Sequence, residues 1–203
     1  LSCDFVQDGD EVMLITKNGR GLRFRQEDVR AMGRASRGVR GIRLINDDQV
    51  AGLLKVDNSK RILMITENGQ GKQVTFDSFS VHGRATQGQK IYRLGGKATY
   101  IVGVLSVDNS NDVVCVTLMG QTLRVHVDAI SVQGRNAAGV KVVSMKFAKD
   151  SIVAIASTEK DEEEEVEIPE VPTGEEEVLE EDDEQDDIVV EDDEEESEAP
   201  ENE

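Results

Sequence analysis

Five arginines fall within VRAMGRASRGVRGIRL, from Val29 to Leu44: Arg30, Arg34, Arg37, Arg40 and Arg43, with Gly33, Gly38 and Gly41 among them. A guanidinium presents a planar fork of donors that matches phosphate oxygens, and glycine lets a backbone come close to a ligand. From Arg34 to Arg43 the arginines recur at every third residue. That spacing suits a surface that follows a nucleic-acid backbone without reading base edges. The preceding run, GLRFR from Gly21 to Arg25, alternates Leu22 and Phe24 with Arg23 and Arg25, so a strand there turns apolar side chains one way and arginines the other.

The same frame returns as FSVHGRATQGQKIYRL (Phe79 to Leu94) and ISVQGRNAAGVKVVSM (Ile130 to Met145). All three copies carry a glycine-arginine pair at one register, Gly33-Arg34, Gly83-Arg84 and Gly134-Arg135, and a second glycine five residues later, Gly38, Gly88 and Gly139. A pair that recurs in every copy has a structural explanation beside a functional one. The glycines could serve a positive φ or a tight crossover, and Arg34, Arg84 and Arg135 could cap carbonyls between units. Arg23, Arg25, Arg37 and Arg40 differ from their counterparts: Gln73 and Arg124, Thr75 and His126, Gln87 and Ala138, Lys90 and Lys141. These four are favoured as DNA contacts. Arg43, Lys90 and Lys141 complete the candidate set with the arginines of the shared pairs.

No catalytic or metal constellation is visible. His82 stands where the sister copies have Met32 and Gln133, which argues against a role needing imidazole, and His126 reads as a surface side chain of an alternating strand. No GxxxxGK[ST] loop occurs, and Asn18 to Gly21 reads as a hairpin turn rather than a phosphate cradle. Cys3 and Cys115 sit among apolar neighbours without CxxC spacing and read as buried free thiols.

The elements that must position these residues are short strands. VMLIT (Val12 to Thr16) leads to Asn18-Gly19, expected as a type I′ turn with both central residues at positive φ, and Gly21 to Arg25 returns. A third strand is expected near Gly41 to Ile45 and a fourth from Gln49 to Val56. The second copy repeats this with strands at Ile62 to Thr66, Lys72 to Phe76, Lys90 to Leu94 and Tyr100 to Val107. The third has Val113 to Thr117, Leu123 to Val127 and a last strand at Ser151 to Ala156. The residues before Val12 read as the last strand of a preceding unit, which makes the chain a piece of a longer array. A period near 50 residues, with four short strands per unit and no sustained helical pattern, predicts an all-β blade-repeat array of about three blades, near 12–61, 62–112 and 113–158. One blade cannot bury its faces alone, so neighbours must stack.

The net charge of -19 hides a partition. Residues 1–158 carry 22 basic against 15 acidic residues, and residues 159–203 carry one lysine against 27 acidic residues. The first domain is therefore basic, and the segment from 159 onward is expected to be a disordered acidic tail, too poor in apolar residues to order itself. Within the blades the charge is uneven: nine basic against two acidic residues over 12–44, but four against two over 62–94 and three against one over 113–145. A polyanionic tail tethered to a basic surface sits at high effective concentration and could compete for the same arginines. No run approaches a membrane span, and no secretory signal is visible.

The frames VRAMGRASRGVRGIRL and ISVQGRNAAGVKVV, each following a hairpin such as MLITKNGRGLRF, closely resemble the C-terminal domain of the bacterial DNA gyrase A protein over residues 1–158. The resemblance implies a β-pinwheel, a propeller-like ring in which adjacent blades exchange strands, and a basic rim that binds and bends double-stranded DNA. The chain would hold roughly the last three blades and the acidic tail. It also implies an intact enzyme that introduces negative supercoils with ATP and Mg held by other domains. Its partners would be the gyrase B protein and a second gyrase A protein, in the cytoplasm at the nucleoid. The Gln-Arg-Arg-Gly-Gly-Lys-Gly type box of that family is missing, as is the domain bearing the catalytic tyrosine. Tyr92 and Tyr100 lie in blade strands, so the chain alone is expected to cleave nothing, and no cofactor is expected in it. Two other readings are the related C-terminal domain of the A-type protein of topoisomerase IV and a propeller-like protein-interaction scaffold.

Overall fold

A computed structural model describes residues 2–96, 99–147 and 149–160. Its strands are β1 (Glu11–Thr16), β2 (Arg20–Arg25), β3 (Val50–Lys55), β4 (Arg61–Thr66), β5 (Gln70–Thr75), β6 (Gln89–Lys90), β7 (Ile101–Val107), β8 (Asn111–Thr117), β9 (Thr122–His126), β10 (Val140–Lys141) and β11 (Ile152–Glu159). A 3-10 turn follows β2, β5 and β9 at the same register of each repeat.

The strands form three antiparallel sheets ordered β3-β1-β2-β6, β10-β5-β4-β7 and β11-β8-β9. The outermost strand of the first sheet, β6, belongs to the second repeat, and that of the second sheet, β10, belongs to the third. Lys90 lies across from Arg20, and Lys141 across from Gln70. This is the exchange of strands between blades that the resemblance implies.

The burial pattern follows from stacking. Five consecutive residues of β1 and of β4 are buried, where a sheet with one wet face would alternate. In β4 the alternation survives as a choice of neighbour. Ile62 and Met64 pack with Met13, Ile15 and Leu54 of the first blade, while Leu63 and Ile65 pack with Val113, Cys115 and Ile152 of the third. The middle blade is thus core on both faces. In the third blade β9 alternates between exposed and half-buried positions, because no further sheet covers it among the described residues.

Several local expectations change. Residues 41–45 form no strand. In the later repeats the matching residues 91–94 and 142–146 form none either: the strands are the two residues just before them, β6 and β10, which pair with the preceding blade, while the equivalent Val39 and Arg40 form no strand, so these short strands are products of docking and not of local propensity. Residues 2–10 likewise contain no strand, and Cys3 is exposed while Cys115 is buried. The hairpin turn is not type I′, since Gly19 has φ 75 but Asn18 is not among the residues of positive φ. Instead Gly19 N–H donates to Thr16 O at 3.0 Å, the three-residue turn ending in a left-handed glycine, repeated at Gly69 and Gly120. β11 runs on to Glu159, past the expected boundary, and the expected disordered tail otherwise falls outside the described residues apart from Lys160.

Candidate nucleic-acid interface

The second and third glycine-arginine frames leave their own blade and cross to the previous one. His82 N–H donates to Arg23 O at 2.8 Å, and Gln133 N–H donates to Gln73 O at 2.9 Å, one repeat later. The second glycine of the frame makes the close approach. Gly88 (φ 65) and Gly139 (φ 81) press on the carbonyls of Gly21 and Gly71, where a side chain would strike backbone. The first glycines, Gly33, Gly83 and Gly134, have neither a positive φ nor a close neighbour, so the conformational need falls on the second glycine of the frame.

The first frame is different. Residues 30–38 are exposed and lie on no sheet among the described residues, and Ser36 N–H to Gly33 O, at 3.1 Å, is their internal turn. Arg34, Arg37, Arg40 and Arg43 are exposed, as are Arg25, Lys90 and Lys141. None of these seven is in an ion pair among the described residues.

Arg23 does not join this set, contrary to expectation. Its side chain is 10% exposed and pairs with Glu11 at 2.5 Å. Its Nη1 donates to Phe76 O at 2.8 Å and to Phe79 O at 3.3 Å. Gln73 does the same one blade on, with Nε2 donating to Val127 O at 2.7 Å and Ile130 O at 2.5 Å. A donor at this register ties β2 or β5 to the 3-10 turn of the next repeat, and arginine and glutamine both reach. Arg84 and Arg135 are half-buried. Arg84 donates to the carbonyls of Asp28 and Arg40, and Arg135 to the Gln89 side chain.

Three cations lie outside the set that the sequence suggested. Arg20 donates to Gln87 O at 2.8 Å and Gly88 O at 2.9 Å, fastening the second frame. With Lys90 and Arg93 it lines a cleft of about 490 Å³ beside the first hairpin tip. The equivalent cleft one blade on, lined by Gln70 and Lys141, has fewer cations, so the charge gradient of the sequence persists in space. Arg93 could have been found by aligning it with Arg43. Lys72 could not, because its neighbours in register, Leu22 and Leu123, predict an apolar residue.

Lys72 is fully buried. Its Nζ donates to Gly134 O, Arg135 O and Ala137 O at 2.8 to 3.0 Å and lies 4.8 Å from the centre of the Tyr92 ring. Burial pushes its pKa down to about 8, while the carbonyls and the ring face favour the ammonium. Burial also raises the Tyr92 phenol, which leaves it protonated and out of reach as a nucleophile. His126 caps a buried carboxylate: burial alone would raise Asp112, but hydrogen bonds from His126 Nδ1 (2.7 Å) and Arg124 Nε (2.6 Å) hold it below the usual carboxylate value. Among the described residues no cluster of three potential ligands could hold a metal ion, and no helix is long and apolar enough to cross a membrane.

A family model described as the DNA gyrase C-terminal domain, beta-propeller, matches residues 10–57, 60–108 and 111–159. The DNA gyrase A protein of Treponema pallidum is 48% identical over 156 residues, 77% of this chain and 19% of that protein. The gyrase A protein of Klebsiella oxytoca is 35% identical over 156 residues, 76% of this chain and 18% of that protein. The chain thus spans about a fifth of the length of these relatives. A solved DNA gyrase A C-terminal domain superposes with a TM-score of 0.69 at 27% identity, over 75% of this chain and 52% of that one. The C-terminal domain of DNA topoisomerase IV gives the same TM-score at 22% identity, over 74% of this chain and 47% of that one, a likeness of fold alone. Three phased matches, one to each strand-exchanging blade, show that the chain belongs to the DNA gyrase C-terminal domain family.

Proposed function

We propose that this chain is a DNA-wrapping module, and that its exposed arginines hold the phosphate backbone of a duplex against the blade rim. The carrying observation is the exposed set Arg34, Arg37, Arg40 and Arg43, without ion-pair partners among the described residues, on a segment that forms no strand and is anchored by buried Ile42, continued by Lys90 and Lys141 at the outer edges of the first and second sheets. Guanidinium and ammonium groups without a carboxylate partner are available to phosphate. Arg25 extends the same surface from the end of β2. Arg84 and Arg135 support it from beneath, and Arg23 acts in holding the blades together. In the whole protein the module would present a DNA segment to a cleavage core. It would do so as part of an ATP-dependent gyrase with a second gyrase A protein and the gyrase B protein, in the cytoplasm at the nucleoid. The chain itself supplies binding and no chemistry of strand cleavage.

The test is duplex binding as a function of salt. Each phosphate neutralised contributes about 0.9 to the slope of log affinity against log salt, so Arg37→Gln with Arg40→Gln should lower that slope by about 2 and weaken binding of unrelated sequences equally. Weak, salt-insensitive binding by the unaltered chain would discard the reading in favour of a protein-interaction scaffold.

A further inference from the structure

The arginine-rich segment of the first blade is a loop with little internal structure, yet its two ends are fastened to one place. Arg84 Nε donates to Asp28 O at 3.0 Å, and its Nη1 donates to Arg40 O. One guanidinium therefore joins the residues on either side of the loop that carries Arg30, Arg34 and Arg37. Two backbone bonds reinforce the junction: Ala85 N–H to Gly41 O at 2.7 Å, and Arg43 N–H to Thr86 O at 2.8 Å. Ala85 adopts φ 66, a left-handed conformation that a non-glycine residue holds only at a cost of about 1 kcal/mol or more. At the same register Ala35 and Asn136 are not among the residues of positive φ. The second frame is thus bent specifically where it meets the first.

The comparison with Arg135 sharpens this. It occupies the same position in the third frame, yet its Nη1 bonds a side chain, Gln89, and not a pair of carbonyls. The third frame has its own support in the Lys72 ammonium, which has no counterpart at Leu22. The shared glycine-arginine pair therefore closes a loop at only one of the two junctions, and that junction carries the most basic segment of the chain.

We propose that Arg84 is a positioning residue for the DNA-binding rim: its fork staples the loop from Val29 to Val39 at both ends, so that Arg30, Arg34 and Arg37 meet a duplex as one preset group. The inference rests on the DNA reading above for its consequence, but not for the staple itself. Two hydrogen bonds from one planar fork need arginine geometry, whereas a plain phosphate contact needs only a cation. Closing the loop beforehand removes the entropy that ordering it on DNA would otherwise cost.

The experiment uses the 203-residue chain with Arg84→Lys and Arg84→Gln, hydrogen exchange without DNA, and duplex binding at two salt concentrations. Both variants should exchange faster over residues 29–40 while β4 and β8 keep their protection. Both should lose duplex affinity by a similar factor, about fivefold, and the loss caused by Arg37→Gln should shrink in the Arg84→Lys background. Arg84→Lys retaining the original affinity would mean that its charge alone matters and would overturn the proposal. So would unchanged exchange over 29–40, or exchange rising equally through all three blades. Faster exchange over 29–40 in the variants, combined with an unaltered chain that binds no duplex, keeps the staple and discards the DNA reading.

Discussion

Lys72 offers the sharpest test of how the blades are joined. It is a lysine where both sister repeats have leucine, and it is fully buried between the second and third blades. Its pKa falls to about 8 in the fold, from about 10.4 in an unfolded chain. Between those values the unfolded chain binds more protons than the folded one, so folding stability rises with pH through this window. A shift of about 2.4 units at about 1.4 kcal/mol per unit sets a ceiling of about 3 kcal/mol for the whole rise. Only part of it is reached by pH 9.5, and the buried Cys115 thiol, raised to about 11, acts in the opposite direction over the same window because the unfolded chain loses that proton first; Tyr92, held protonated by burial, opposes it only at higher pH. Urea unfolding of the chain and of Lys72→Leu at intervals between pH 7 and 9.5 should show the unaltered chain gaining stability over the variant by about 1 to 2 kcal/mol, concentrated above pH 8, since the Cys115 contribution is common to both. Lys72→Leu restores the residue of the sister repeats and should abolish this gain. It also leaves the carbonyls of Gly134, Arg135 and Ala137 without their shared donor, so it should loosen that turn even where global stability is kept. Parallel profiles for the unaltered chain and Lys72→Leu would refute the reasoning.

Gly88→Ala should destabilise the chain by about 2 kcal/mol or more in urea unfolding, because a Cβ there meets the Gly21 carbonyl in a backbone conformation unfavourable to any side chain. Gln73→Ala removes the Nε2 donor that ties β5 to the turn before Ile130 and the oxygen that accepts from Arg61, and should cost about 1 to 3 kcal/mol; Gln73→Arg should not restore the loss, because Arg61 stands where the first repeat has Glu11 to pair with its arginine. Asp112 is held below the usual carboxylate range in the fold, so its contribution is present above the unfolded pKa of about 3.9 and is lost as pH falls through the lower folded value. Asp112→Asn should flatten the acid limb of the stability profile.

The repeat was legible because each blade writes the same hairpin, the same turn glycine and the same crossing frame. The inner strands were legible as short apolar runs for the same reason. What the sequence could not show was dependence on a neighbour. QGQKIYRL and RGVRGIRL look alike as strings, yet only the first contributes a strand, the pair Gln89–Lys90, because only it has β2 beside it. Arg23 and Arg25 look equivalent in GLRFR, but Arg23 faces the carbonyls of the next repeat and Arg25 faces solvent. The sister residue Gln73 held the clue: a position shared by arginine and glutamine asks for a donor of a certain reach, not for a charge. Lys72 was hidden by the opposite logic, since its sisters are apolar and only the fold brings three carbonyls to meet it.

The same dependence explains where extra arginine can accumulate. A docked frame must commit its backbone to the previous blade at Val81, Gly88 and Lys90, and one repeat later at Val132, Gly139 and Lys141. Only side chains pointing away from that contact can vary, and at the register of Arg40, Lys90 and Lys141 each blade keeps one exposed cation. On the DNA-wrapping reading, that line would supply an even attraction for phosphates, one charge per repeat. The first frame is bound by no such contact among the described residues, so its glycines and arginines are free to form a loop rather than a strand. A loop of many cations would be a poor anchor if it were slack, since ordering it would offset the gain from each phosphate it meets. On the proposal above, fastening its ends to Arg84 resolves the conflict: residues 30–38 stay exposed with their guanidinium groups, while both ends of the loop are tied to the neighbouring frame.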